Sequence, residues 1–204
     1  MNATTEISLV QRALAAWWPV LALAAAALLL GLGGDAARAW GRYEREALES
    51  GELWRLLSAH LVHLGGGHLM LNVAALFTIR FLLDDLLSAA DWIGAAVASA
   101  LAIDAGLYFL SVEVGWYVGL SGVLHGLLAA GAIAMLRVQP GIAGMLVVGL
   151  VVKLAWEQAM GPLPFTQSAS GGPVIVAAHL YGAAGGAAYA LLRQTVRGRQ
   201  SASL

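Results

Sequence analysis

The sequence predicts an all-α membrane protein, a bundle of six transmembrane helices, and two observations carry that class. First, of 204 residues 60% are apolar and 11% charged, against about 45–50% and about 25% in soluble domains. A chain this short buries only about 70% of its surface on folding, so lipid has to solvate much of the excess. Second, the apolar residues fall into stretches of spanning length, and six spans of about 20 residues would use about 120 of the chain. The composition excludes a soluble enzyme, a large ectodomain and a nucleic-acid reader, because the net charge of −1 supplies no basic face. With no Cys there are no disulfides and no thiolate metal sites. Residues 1–204 are read as one membrane domain.

The first span, about 17–34, opens on Trp17, Trp18 and Pro19 and continues as LALAAAALLLGLGG. Its apolar stretch exceeds a signal-peptide core, and more spans follow, so it is read as a retained helix. The connection 35–66 begins with mixed charge (Arg38, Arg42, Arg45 and Arg55 against Asp35, Glu44, Glu46, Glu49 and Glu52) and carries apolar Trp40, Tyr43, Leu48 and Trp54. That pattern suits a segment lying along the interface, with a polar loop as the alternative. The remaining spans are placed at about 67–83, 92–111, 117–136, 141–157 and 173–192. Pro140, Pro162, Pro164 and Pro173 fall between spans or at their starts, where a missing N–H costs least. Trp17, Trp18, Trp92, Trp116 and Tyr117 sit at expected interfaces. Arginine placement favours cytoplasmic termini: Arg12, Arg80, Arg137, Arg193, Arg197 and Arg199 share one side.

Polar side chains inside spans are functional hypotheses by default, since their desolvation has to be compensated. Ser121 stands in GLSG, between Gly119 and Gly122, and Gly119, Gly122 and Gly126 share one side of the helix at spacings three and four. Membrane-helix serines usually only pack, but this one has glycines that permit close backbone approach. In the last span, AAHLYGAAGG repeats Ala178, Gly182 and Gly186 every fourth residue, and His179 borders that face. Two small-residue helices, one presenting Ser121 and the other His179, suggest a nucleophile and its base, because a hydroxyl needs a neighbouring proton acceptor. His125, four residues after Ser121, is the alternative base, and otherwise a packing or water-ordering neighbour. His68 and Asn72 share a face of the second span and are the right donor types for an oxyanion, or else an internal brace.

Other polar residues have blander readings. His60, His63 and His68 lack the HExxH pattern and a nearby carboxylate, so no metal is expected; His60 and His63 are read as capping or bracing groups. Asp104 is isolated in the third span. Lys153 and Glu157 form an i,i+4 pair whose simplest role is mutual neutralisation, with Glu157 also near the GPLPFTQSASGG connection, which suits a mobile flap.

The segment GELWRLLSAHLVHLGGGHLMLN, then GLSG with VLHG, then AHLYGAAGG, resembles in that order the signatures of rhomboid intramembrane serine proteases over about residues 48–190. The resemblance implies Ser121 as nucleophile, His179 as general base, and His68, Asn72 and the Ser121 backbone N–H as oxyanion stabilisers. It also implies an interfacial first connection with Trp54 and Arg55 as a WR pair, a Ser–His dyad, and no cofactor. His125, the small size and the KLAWEQ segment resemble the rhombosortase subgroup. Its implied substrates are exported proteins ending in a Gly-Gly motif, a membrane helix and a basic tail, with water or an amine resolving the acyl-enzyme. The implied location is the bacterial inner membrane, the site opening to the periplasm. The competing readings are a catalytically inactive rhomboid-like binding protein and a small transporter; no inverted repeat favours the latter.

Overall fold

A computed structural model describes residues 3–202. Helix α1 (Ala3–Gly31) is followed by α2 (Gly34–Gly41), β1 (Tyr43–Glu44), α3 (Arg45–Glu49) and α4 (Arg55–Ser58). Then come α5 (Gly66–Leu83), a 3-10 turn at Asp84–Leu86, α6 (Ala89–Phe109), β2 (Trp116–Tyr117) and α7 (Ser121–Met135). The chain ends with α8 (Pro140–Met160), α9 (Thr166–Ser170) and α10 (Val176–Ala202).

The protein is mostly helical, as the composition requires of backbone in lipid, where every N–H and C=O has to be satisfied locally. By length and composition α5, α6 and α8 can each cross a membrane, and a fourth span is added if the bent pair Ala15–Gly31 and Gly34–Gly41 counts as one. The pair bends by 113°, at a glycine pair where Gly34 has φ +54°. Among the described residues, fewer helices therefore qualify than the six expected. Helix α7 is apolar but only 15 residues long, shorter than a standard span.

The fourth element is shorter than expected because residues 116–117 are extended: Tyr43 pairs with Tyr117 and Glu44 with Trp116 in an antiparallel ribbon. Gly119 then takes φ +117° and α7 starts at Ser121. Gly119 therefore lies in a loop and not, as the spacing suggested, on one helix face with Gly122 and Gly126. The connection at 161–172 contains the short α9, so the expected flap has a helical turn in it.

Helices α7 and α10 form the centre, with α6 packed on both and α5, α8 and α1 around them. Leu76, Leu83, Ile103, Leu107, Leu120 and Leu127 are fully buried there. Glycine sets the closest approach. A Cβ at Gly122 would lie 2.8 Å from the Ala178 carbonyl oxygen, and one at Gly126 2.5 Å from that of Gly182. Added carbons at Gly182 and Gly186 would collide in turn with the carbonyls of Gly122 and Gly126. The two backbones touch as in small-xxx-small membrane pairs. Outside, Phe81, Leu101, Phe109, Val148, Val151 and Val152 are more than half exposed, an apolar surface of the kind lipid covers.

The connection before α5 is a built structure. Arg55, 7% exposed, donates to Glu52 and to the carbonyls of Ala39 and Arg42. Ser58 donates to the Gly41 carbonyl at 2.7 Å, and the Trp40 and Trp54 rings stack at 6.0 Å. Trp40, Leu53, Trp54 and Leu57 are exposed on it, which gives the segment an apolar outer face. The side chains of Arg12, Arg197 and Arg199, used for the expected orientation, lie outside the described residues.

Candidate active site

Ser121 is the first residue of α7, where backbone N–H groups have no intrahelical partner. The preceding loop is fixed from several directions. The Gly119 N–H donates to the Ala59 carbonyl at 2.8 Å, and the Tyr117 hydroxyl donates to the Gly119 carbonyl at 2.5 Å. A Cβ at Gly119 would lie 2.6 Å from His68 Cε1, so the absent side chain makes room for the His68 ring.

Ser121 Oγ lies 2.9 Å from His179 Nε2. The close α7–α10 packing brings these residues together across 58 positions of sequence. On the far side of the ring, His179 Nδ1 is 2.9 Å from Glu157 Oε2, and Lys153 donates to Glu157 Oε1 at 2.7 Å. The expectation that Lys153 and Glu157 simply neutralise each other is thus incomplete, since one carboxylate oxygen serves His179.

His125 stacks flat on His179, centroids 4.2 Å apart and planes 15° apart. Its Nδ1 is 2.7 Å from the Ser121 carbonyl oxygen, which can only accept, so that nitrogen carries a proton. Of the two histidines, His179 is the one hydrogen-bonded to the hydroxyl. Donor atoms of His125, Glu157 and His179 lie within 4.8 Å of one another, a spacing a cation could share. The stack sets the two imidazole planes side by side instead of converging, and the Lys153 ammonium already neutralises the carboxylate. The arrangement fits proton transfer better than metal ligation.

The Leu64 N–H approaches His68 Nδ1 at 3.4 Å, leaving Nε2 to carry the ring proton toward the loop at Gly119. Asn72 donates to the His68 carbonyl at 3.0 Å, occupying one of its amide hydrogens. His68, Asn72, Ser121, His125, Glu157 and His179 all line one cavity of about 670 Å³, whose other walls are mainly apolar residues of α5, α7 and α8.

A family model for the rhomboid domain matches residues 50–195. The chain belongs to the rhomboid family. Members of that family are intramembrane serine proteases, and the apolar helices make this rhomboid a multi-pass membrane protein. No curated protein matches the chain closely enough to count as a relative.

In this rhomboid the two outer histidines make different contacts, and His63 Nδ1 lies 3.1 Å from the Leu61 carbonyl oxygen. His60 Nε2 lies 3.3 Å from Asp104 Oδ1, both residues buried, so Asp104 has a partner from the first connection. The His63 ring meets the His68 ring edge-on at 5.0 Å. Burial, with His68 beside it, pulls the His63 pKa down to about 4. Sequence reasoning missed Tyr117, whose hydroxyl braces the loop before Ser121; its place two residues before Gly119 was the available signal.

Proposed function

We propose that this rhomboid is an active intramembrane serine endopeptidase that removes C-terminal membrane anchors from exported proteins near a Gly-Gly motif. The hydrogen bond between Ser121 and His179 carries the reading. The cavity opens beside it, lined by donors suited to an oxyanion.

In the first step Ser121 Oγ bonds to the scissile carbonyl carbon while its proton passes to His179 Nε2. The Ser121 backbone N–H, His68 and Asn72 hold the developing oxyanion; Asn72 uses its second amide hydrogen. The carbon–nitrogen bond then breaks and His179 returns the proton to the leaving amine. Water, deprotonated by the same ring, attacks the acyl carbon, the ester C–O bond breaks and His179 returns the proton to Ser121 Oγ; an amine acceptor would resolve the acyl-enzyme in the same way. Glycines in the substrate suit this chemistry because a helix unwinds there at low cost.

The same proposal takes residues 1–204 as one domain with six spans, α7 and α10 included, in a bacterial inner membrane. The termini are cytoplasmic and the cavity opens to the periplasm. The subgroup assignment to rhombosortases rests on His125, the small size and the KLAWEQ segment.

The test is cleavage, in proteoliposomes, of a membrane protein ending in Gly-Gly, an apolar helix and a basic tail. The intact protein is expected to cut it, and Ser121→Ala and His179→Ala are expected to leave it whole. Full cleavage by either variant would overturn the pairing. Cleavage of an anchor lacking Gly-Gly at the same rate would remove the substrate class and keep the protease.

A further inference from the structure

We propose that Glu157 is a positioning residue for His179, so that this rhomboid works through a Ser121–His179–Glu157 line with Lys153 as counter-ion to the carboxylate. The inference rests on the protease reading above.

Placement is the first argument. Helix α8 turns most of its surface outward: Val148, Val151 and Val152 are about 60% exposed, and only a narrow stripe of Ala143, Leu150, Leu154 and Glu157 is buried. Glu157 occupies the inner end of that stripe at 1% exposure. A carboxylate in the last turn of a helix faces the negative end of the helix dipole and also loses its hydration. Charge neutralisation alone gives no reason to put it there. An i,i+4 pair on the outer face would neutralise Lys153 equally well.

Bonding is the second. The two oxygens of Glu157 have different tasks, Oε1 to Lys153 and Oε2 to His179 Nδ1. Because a carboxylate only accepts, Nδ1 carries the proton and Nε2 presents its lone pair to the Ser121 hydroxyl. The ring is held in the tautomer acylation needs. When His179 takes the hydroxyl proton, the imidazolium forms at hydrogen-bond distance from an anion. Glu157 keeps no proton in the cycle and touches no reacting atom. Lys153, with its side chain 30% exposed at the cavity, supplies the counter-charge to the carboxylate and tempers its field.

The charges facing His179 are few. Helix α7 offers Ser121 and His125, α8 offers Glu157 and Lys153, and α5 offers His68. Asp104 of α6 is turned to His60. Among the described residues, Glu157 is therefore the anion placed to answer a charged His179.

The test measures kcat, KM and the pH profile of cleavage for Glu157→Gln and Lys153→Met in proteoliposomes, beside Ser121→Ala. Glu157→Gln keeps the shape and removes the charge. Its kcat is expected to fall about 100-fold or more, with KM changed less than about three-fold. The two variants are expected to shift the acid limb in opposite directions: to lower pH for Glu157→Gln, which destabilises the imidazolium, and to higher pH for Lys153→Met. A merely structural carboxylate would not give opposed shifts. Unchanged kcat and unchanged limbs in Glu157→Gln, with Ser121→Ala inactive, would overturn this inference and leave the protease intact. An active Ser121→Ala would overturn the protease itself. Should Glu157→Gln not fold, Lys153→Met decides alone: a raised limb supports the line, and an unmoved limb overturns it.

Discussion

His68 and Gly119 share one space: a methyl group at residue 119 would lie 2.6 Å from the imidazole Cε1. The loop before Ser121 is shaped around a ring from another helix, and at φ +117° position 119 is open to glycine and strained for any other residue. Gly119→Ala is expected to lose most proteolysis, because either the ring or the loop has to give way. Single-turnover cleavage with KM measured separately checks this; wild-type kcat would refute it.

The α7–α10 contact makes a second prediction. In Gly182→Ala the new methyl group runs into the Gly122 carbonyl, one residue after Ser121. Overpacking at such a site costs about 1–3 kcal/mol. Because His179 is one turn away on α10, separation of the helices also lengthens its bond to Ser121. Reduced thermal stability and reduced labelling by a serine-directed fluorophosphonate are expected together; loss of one alone would break the argument.

Arg55 ties the first connection into a unit through Glu52 and two backbone carbonyls. Arg55→Ala leaves those acceptors unpaired, at about 2–3 kcal/mol. Arg55→Lys is expected to recover little, since one ammonium cannot serve three acceptors in a fork. Limited proteolysis of residues 35–65 should speed up in both variants before any global unfolding.

Acid should loosen the same region through His63. Burial holds its folded pKa near 4, below the ordinary value of about 6.5. Between those values the unfolded chain binds the extra proton, so stability is full above about pH 6.5 and falls as the pH drops toward 4. The loss amounts to at most about 3 kcal/mol. His63→Phe keeps a ring against His68 and cannot titrate. Its apparent melting temperature should therefore fall less than that of the intact protein between pH 7 and pH 4.5. Equal slopes would contradict this origin.

Much of the site was legible in sequence because its signals are local. Residue type and spacing marked Ser121 in GLSG, His179 on its glycine face, and His68 with Asn72 one turn apart. Glu157 was legible only as the partner of Lys153, and Asp104 only as an isolated charge. Their partners, His179 and His60, lie 22 and 44 positions away, and no periodicity within one helix encodes a distance between two. One element start, that of the fourth span, was misplaced for a related reason. Residues 116–117 read as the start of an apolar span, and pairing with residues 43–44 makes them extended.

By itself, then, the sequence determined the solvent and the class of secondary structure, because apolar excess and backbone satisfaction in lipid leave helices as the solution. It also determined which residue types could do chemistry there. The tertiary structure decided which of those residues meet. That decision rests on glycines that let α7 and α10 touch backbone to backbone. It also rests on the inward stripe of α8, which brings Glu157 to the back of the His179 ring. Those are properties of packed surfaces, and no single stretch of chain carries them.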